Sequence, residues 1–220
     1  AQMRRAPCTV LEDVGRISGV AIVDARISKL AVLDIPGLRE PATGQLVSLP
    51  DSGELLLNKL YMKAGRMPEP AKADEVVVSE NFANSHRFEL GSRFSAILNG
   101  RKRALTVVGI ALSPEFIYAV GPGDVMPDDR RFGVIWMSER ALAAIYDLEG
   151  AFTSLYVKLS ADADERDVRS QIDRVLDRYG GTSAYGRKDQ TSHAWLDHEL
   201  DMLRNMSRTL PPIFLLVSAF

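Results

Sequence analysis

Asn99-Gly100 stands between two runs rich in β-branched and apolar residues, RFSAIL and RKRALTVVGI. A two-residue hairpin turn needs positive φ at both central positions, which Asn and Gly adopt at little steric cost. The pair therefore ties residues 93–98 and 101–110 together as an antiparallel hairpin and makes the middle of the chain β-dominated.

The flanking segments have a different texture. Thr9 to Gly19 reads as a helix with Val10, Val14 and Ile17 on one face, Thr9 as cap and Gly19 as stop. GVAIVDARISKLAVLDI reads as extended, IPGLREPATG as a loop, and QLVSLP as a short strand ended by Pro50. LLLNKLYMKAG fits strand or helix. GRMPEPAKAD is the best linker candidate, because its Gly and Pro residues break both periods. EVVVSENFA reads as strand then turn, and SPEFIYAVGPGDVMPDDRRFG as a long irregular connection. Alternation then returns. FGVIWM is a strand, SERALAAIYDL a helix capped by Ser138, and FTSLYVKLS a strand. Asp164 to Tyr179 is a helix with Val168, Ile172, Val175, Leu176 and Tyr179 in one stripe, ended by Gly180-Gly181. SAYGR reads as a last short strand. Thr191 to Ser207 reads as a helix with Trp195, Leu196, Leu200, Leu203 and Met206 on its apolar side. The expected class is α+β, an α/β region interrupted by a β-rich insert and then resumed.

Charge and cysteine content remove several functions. A net charge of -2 over 220 residues argues against broad nucleic-acid binding, which needs a basic surface to displace counterions from phosphates. The single cysteine, Cys8, forms no intrachain disulfide, and no base adjoins it that would make it a nucleophile. His193 and His198 lie five apart on one helix, which turns the second ring to another face, whereas zinc pairs on helices use i,i+4. ADADERD lacks the central Gly and distal acid of a calcium loop and suits a helix start. GTSAYGRK lacks the Lys-Ser/Thr that must follow the second Gly of a phosphate loop. No GxSxG elbow occurs. Ser79, Ser113 and Ser138 fall at element starts and suit capping. Asp124, Asp128, Asp129, Arg130 and Arg131 crowd into one proline-rich loop, readable as an acid-base or metal cluster or as a partner loop. Self-pairing charges in a turn are the plainer account. No catalytic, cofactor or metal site emerges, and the pattern favours a binding, coupling or scaffolding role over an enzyme.

The end of the sequence is unlike the rest. After Pro211-Pro212, the run Ile213, Phe214, Leu215, Leu216 and beyond is almost wholly apolar. It is shorter than half of the roughly 20 residues a spanning helix needs. It reads either as a short core segment or as the first turns of a membrane helix.

Several phrases in order resemble a known family. "SGVAIVDARI", then "GRMPEPAKADEVVVSENFANSHRFELGSRFSAILNGRKRALTVVGIALSPEFIYAV", then a strand–helix–strand–helix unit and a helix running into "PPIFLLVSAF" are similar to the MacB-like periplasmic domain of FtsX-family ABC transporter permeases. GRMP, EVVVSE with the later Phe88, Leu90 and Gly91, and VVGIALSPEFIY are the most telling pieces. The resemblance implies a domain outside the cytoplasm, between the first two membrane helices of a bacterial inner-membrane protein. It implies a porter-like α/β lobe, residues 1–68 and 132–208, with an inserted β-rich sabre-like lobe, residues 69–131. Residues 209–220 would begin the second membrane helix, and the helix Thr191–Ser207 would be a strut packed on the lobe. The implied partners are an ABC ATPase domain or subunit, a second or sister permease, a periplasmic adaptor and the membrane, with no nucleic acid. The implied work is export, lipoprotein release or partner activation, driven by ATP bound elsewhere. A soluble periplasmic adaptor or ligand-binding module is the alternative.

Overall fold

The hairpin forms as its turn requires, with Asn99 at φ 46° and Gly100 at φ 75°. The computed structural model describes residues 1–51, 55–70, 72–124, 126–190 and 200–209. In chain order the strands are β1 (Gln2–Pro7), β2 (Val20–Arg26), β3 (Ser28–Asp34), β4 (Ala42–Leu49), β5 (Tyr61–Gly65), β6 (Glu75–Ser79), β7 (Arg93–Leu98), β8 (Arg101–Leu112), β9 (Phe132–Ser138) and β10 (Ala151–Leu159). The helices among them are α1 (Val10–Gly15), α2 (Glu80–His86), α3 (Glu139–Tyr146) and α4 (Glu165–Leu176). The fold is α+β, as the sequence implies.

Two sheets carry these strands. β1, β10 and β2 form an antiparallel three-stranded sheet in the order β1-β10-β2. α1 and α4 cover one face, where Val10, Val14, Val168, Ile172 and Leu176 pack with Phe152 and Leu155. The second sheet has seven strands in the order β5-β8-β6-β9-β4-β3-β7, and β7 also pairs with β8. The path β8-β6-β9-β4-β3-β7 thus returns to β8. β9 pairs parallel with β4 and antiparallel with β6. It is buried along its whole length, which explains a strand that is almost continuously apolar rather than alternating. The chain crosses between the sheets at Ile27. There Ile27 N–H donates to Ser48 Oγ at 2.9 Å, Ser28 N–H donates to Thr153 Oγ1 at 2.7 Å, and the Thr153 hydroxyl donates back to Ser28 O.

Residues 69–131 do not make a sheet of their own. β3 pairs with β7, and β5 pairs with β8. Strands placed by sequence on either side of residue 69 therefore share one ladder. The physical reason is that a strand's alternation records its buried face and not its partner. The chain divides by sheet near Ile27 and again between α3 and β10.

Smaller corrections follow local chemistry. The helix expected over Thr9–Gly19 stops at Gly15, because Ser18-Gly19 turns the chain with Gly19 at φ 92° against Ala163. The turn expected after EVVVS is α2, with Phe82 and Ala83 buried. Of LLLNKLYMKAG, Tyr61–Gly65 forms strand β5 and the residues before it are irregular. SAYGR is irregular rather than a strand, although Thr182 N–H donates to Gln2 O at 2.7 Å. Ser138 accepts from Ala141 N–H as a cap, and Asp164 accepts from Arg166 and Asp167 N–H. ADADERD is accordingly the start of α4. Residues 200–209 are helical. Leu200, Met202, Leu203 and Met206 there are 41–58% exposed, so this part of the expected strut does not pack on a sheet. The first part of that helix, with Trp195 and Leu196, and the run Pro211, Pro212, Ile213, Phe214, Leu215 and Leu216 lie outside the described residues.

The expected linker is held down. Arg66 grips Glu75 with both guanidinium nitrogens, at 2.7 and 2.6 Å, Lys72 Nζ lies 3.1 Å from the same carboxylate, and Glu69 N–H donates to it at 3.0 Å. Hydrogen bonding from Arg66, then from Glu69 N–H and Lys72, holds the Glu75 carboxyl at about 2, down from 4.5. A depressed acid stabilises the fold above its unfolded value and loses that contribution as pH falls through its folded value. The clamp is therefore intact above about pH 4.5 and lost toward pH 2. Glu75→Gln is expected to cost about 1–3 kcal/mol at pH 7, the range for a hydrogen bond to a charged group. It should also flatten the acid limb of a urea-midpoint profile. An unchanged profile would remove the clamp from the account.

Candidate functional site

A cavity among the described residues has a volume of about 770 Å³, within the range of ligand clefts. It lies beside β10, between α4, the segment 184–190 and the loop that follows β8. Val157, Val168, Ile172, Phe116, Tyr156 and Glu115 are among its lining residues.

At its base is a buried charged network built by strand register. Asp24 and Arg26 are two apart on β2 and so share a face. Tyr156 on β10 is directly opposite Asp24, and Ser154 is opposite Arg26. Arg26 is thus diagonal to Tyr156, and its guanidinium sits 4.9 Å from the centre of that ring. Arg26 Nη2 donates to Asp24 Oδ2 at 2.9 Å and to the carbonyl of Leu57. Arg26 Nη1 lies 3.5 Å from Glu115 Oε2. The Tyr156 hydroxyl donates to Glu115 Oε1 at 2.7 Å, and Asn58 Nδ2 donates to Oε2 at 3.2 Å. Gln190 Nε2 donates to the Glu115 carbonyl at 3.1 Å. The side chains of Arg26, Asp24 and Glu115 are 1%, 13% and 6% exposed.

One guanidinium therefore serves a carboxylate on one sheet and a carboxylate in a loop that leaves the other. Asp24 belongs to the three-stranded sheet, and Glu115 to the loop leaving β8 of the other. Burial drives the Glu115 carboxyl above its usual range, opposed by the Tyr156 hydroxyl, the Arg26 charge and Asn58. Burial and the Glu115 charge push the Tyr156 phenol well up. The network has no nucleophile–base pair. What the geometry does is fasten the two sheets together at the point where the chain crosses between them.

This network was not among the residues singled out by sequence. Its signal was a charged pair, Asp24 and Arg26, inside an apolar strand, and a lone acid in ALSPEF. The loop that was singled out is arranged otherwise. Asp128 accepts from Arg130 and Arg131 N–H and closes its own turn. Arg131 pairs with Glu40. Asp129 is hydrogen-bonded to Asn81, and burial raises its carboxyl. Asp124 N–H donates to Gly121 O. Arg130 lends its carbonyl to His86 Nε2 at 3.0 Å. Among the described residues these side chains do not converge on a metal-binding group, and no helix is long and apolar enough to cross a membrane.

No protein-family model matches the sequence, and no curated protein matches it. Solved structures do. The extracellular domain of the ABC-type transporter YknZ from Gram-positive bacteria is similar with a TM-score of 0.51 at 14% identity, covering 82% of this chain and 87% of that one. The periplasmic region of MacB from Actinobacillus actinomycetemcomitans gives 0.47 at 14% identity, over 82% and 78%. A domain of a putative permease from Porphyromonas gingivalis gives 0.46 at 11% identity, over 86% and 81%. The chain shares its fold with the first of these, the extracellular domain of an ABC-type transporter, in line with the resemblance its phrases carry.

Proposed function

We propose that this chain is an extracytoplasmic domain of an ABC transporter permease. It couples ATP hydrolysis in a cytoplasmic domain or subunit to rigid-body movement outside the cytoplasm, serving export, lipoprotein release or partner activation. The observation that carries this reading is the fold shared with the YknZ extracellular domain over 82% of the chain, taken with the ordered phrases from SGVAIVDARI to PPIFLLVSAF. The porter-like lobe is the three-stranded sheet with α1 and α4, and the sabre-like lobe is the seven-stranded sheet. The Arg26 network is the fastening through which movement passes from one lobe to the other. The partners are the ATPase, a second or sister permease, a periplasmic adaptor and the inner membrane. The loop with Asp124, Asp128, Asp129, Arg130 and Arg131 is a surface available to such a partner.

A second reading, a soluble periplasmic adaptor or ligand-binding module, is favoured by the 770 Å³ cleft. The two readings differ over residues 210–220. Among the described residues, the buried members of the apolar clusters of both sheets lie between Met3 and Ala184. In the permease reading, deleting 210–220 leaves the melting temperature unchanged. A drop of several degrees in a thermal scan would make the tail part of a core and favour the soluble module.

A further inference from the structure

A second cavity among the described residues, of about 380 Å³, opens on the other side of the loop that follows β8. Pro114 and Phe116 line both cavities, so that loop is the wall between them. Strand register builds the floor. Ser79 at the end of β6 is opposite Ala111 of β8, and Tyr61 at the start of β5 is opposite Leu112. The wall is fixed in place. Glu115 N–H donates to Ser113 Oγ at 3.2 Å, and Phe116 N–H donates to Ser113 O at 3.2 Å. Phe116 packs edge-on against Trp136 with ring centres 6.3 Å apart. Two alanines of the lining, Ala111 and Ala119, are buried at 0% and 6% exposure. The lining is largely apolar, but Glu80 and Asp129 belong to it as well. Their charges are unevenly served. Glu80 has Lys63 Nζ at 3.5 Å. Asp129 has a hydrogen bond from Asn81, and Asp128 adds a second negative charge nearby. Among the described residues, no cation pairs with Asp129.

We propose that this cavity binds a small amphiphilic amine, with the ammonium on Asp129 and the apolar body against Ala111, Phe116 and Ala119. An apolar pocket with a few placed polar groups is the usual form of a small-molecule site. Here the polar group in need of a partner is an acid, and a protonated amine gives it a charge-assisted hydrogen bond. An alcohol supplies no counter-charge, and a carboxylate sets like charges side by side. The occupant is a free molecule rather than a strand of another chain. β5, the sheet edge beside the cavity, is five residues long, and its register shifts between Met62 and Ala64, at Lys63. A short, bulged edge with a lysine is blunted against an added strand, so a polypeptide gains no backbone pairing there. The inference is independent of the permease reading, since it rests on the seven-stranded sheet and its loops alone.

Titration of the isotope-labelled chain with octylamine, octanol and octanoate near neutral pH, read by amide chemical shifts, tests this. Octylamine is expected to bind with a Kd of about 1 mM or below. It should bind about tenfold tighter than octanol, the margin of a charged over a neutral hydrogen bond. The largest shifts should fall at Ala111, Ile117, Ala119 and Asp129, and octanoate should not bind. Asp129→Asn should erase the preference for the amine while octanol binds as before. Ala119→Leu should fill the cavity and abolish both. If Ala119→Leu fails to fold, the ratio of amine to alcohol affinity in Asp129→Asn decides alone. Equal affinities for octylamine and octanol in the native chain would overturn the proposal. So would a preference that survives Asp129→Asn, or largest shifts outside the cavity. The capped tripeptide acetyl-Leu-Lys-Leu-amide carries the same chemistry on a polypeptide. If it binds more tightly than octylamine, the site belongs to a partner protein and the proposal fails.

Discussion

Arg26→Met is expected to destabilise the domain by about 3–5 kcal/mol, the cost of leaving a buried ion network without its cation. Arg26 is buried to 2% exposure, and it alone bridges Asp24 and Glu115 in the observed network. Methionine fills much of the same volume, so the loss is electrostatic rather than a cavity. At about 2–4 °C per kcal/mol for a domain of this size, the melting temperature should fall by roughly 6–20 °C. Glu115→Gln should behave differently. Burial raises the Glu115 carboxyl, so the folded state favours its neutral form more than the unfolded chain does, and an amide of the same shape costs no more than about 1 kcal/mol. The sign follows for pH. An acid raised on folding adds stability as pH falls from above its folded value toward its unfolded value near 4.5, and the Gln variant lacks that component. Equal, small effects of the two substitutions would show that the network does not fasten the sheets.

Gly65→Ala is the second large effect. Gly65 has φ 75°, and a Cβ there would lie 2.1 Å from Val108 O and 2.9 Å from Gly109 Cα. Leu90 Cδ2, 2.6 Å away, can swing aside, but these two backbone obstacles cannot. Gly109 answers from the other strand, since its own Cβ would meet Arg66 O at 2.5 Å. The close approach lets Arg66 N–H donate to Val108 O at 3.0 Å and aims the Arg66 guanidinium at Glu75. The left-handed conformation costs about 1–2 kcal/mol for an L-residue, and overpacking adds about 1–3 kcal/mol. The expected loss is therefore about 2–5 kcal/mol, read as a lower urea midpoint with an unchanged slope. Gly100→Ala is the control. It shares positive φ but nothing lies within 4 Å, so it should lose only the conformational part. Equal losses at the two positions would mean that the β5–β8 approach is not needed.

What the sequence made legible was local. Asn99-Gly100 specified its hairpin, Ser138 its cap, and Val168, Ile172 and Leu176 the buried stripe of α4, because each depends on neighbours a few residues away. The GRMP glycine stood out, but its partner Val108 did not. The joining of β4 to β9 and of β3 to β7 is non-local, and alternation carries no information about it. α2 escaped because NFANSH has too short an apolar pattern, with only Phe82 and Ala83 buried. The site was missed for the same reason at larger scale. Arg26, Glu115 and Tyr156 are each unremarkable in sequence, and they gain meaning only when β2 and β10 set their register and the loop after β8 folds over them. The crowded acids from Asp124 to Asp129 drew notice by density alone, and the structure spends Asp128 on its own turn.

The central claim is that the chain works outside the cytoplasm as part of a membrane permease. The most direct measurement is to express the full parent polypeptide and follow its partition through an alkaline carbonate wash. The account predicts retention in the membrane pellet, with residues 1–190 cleaved by protease only from the extracytoplasmic side. Release of the full product into the soluble fraction would contradict it.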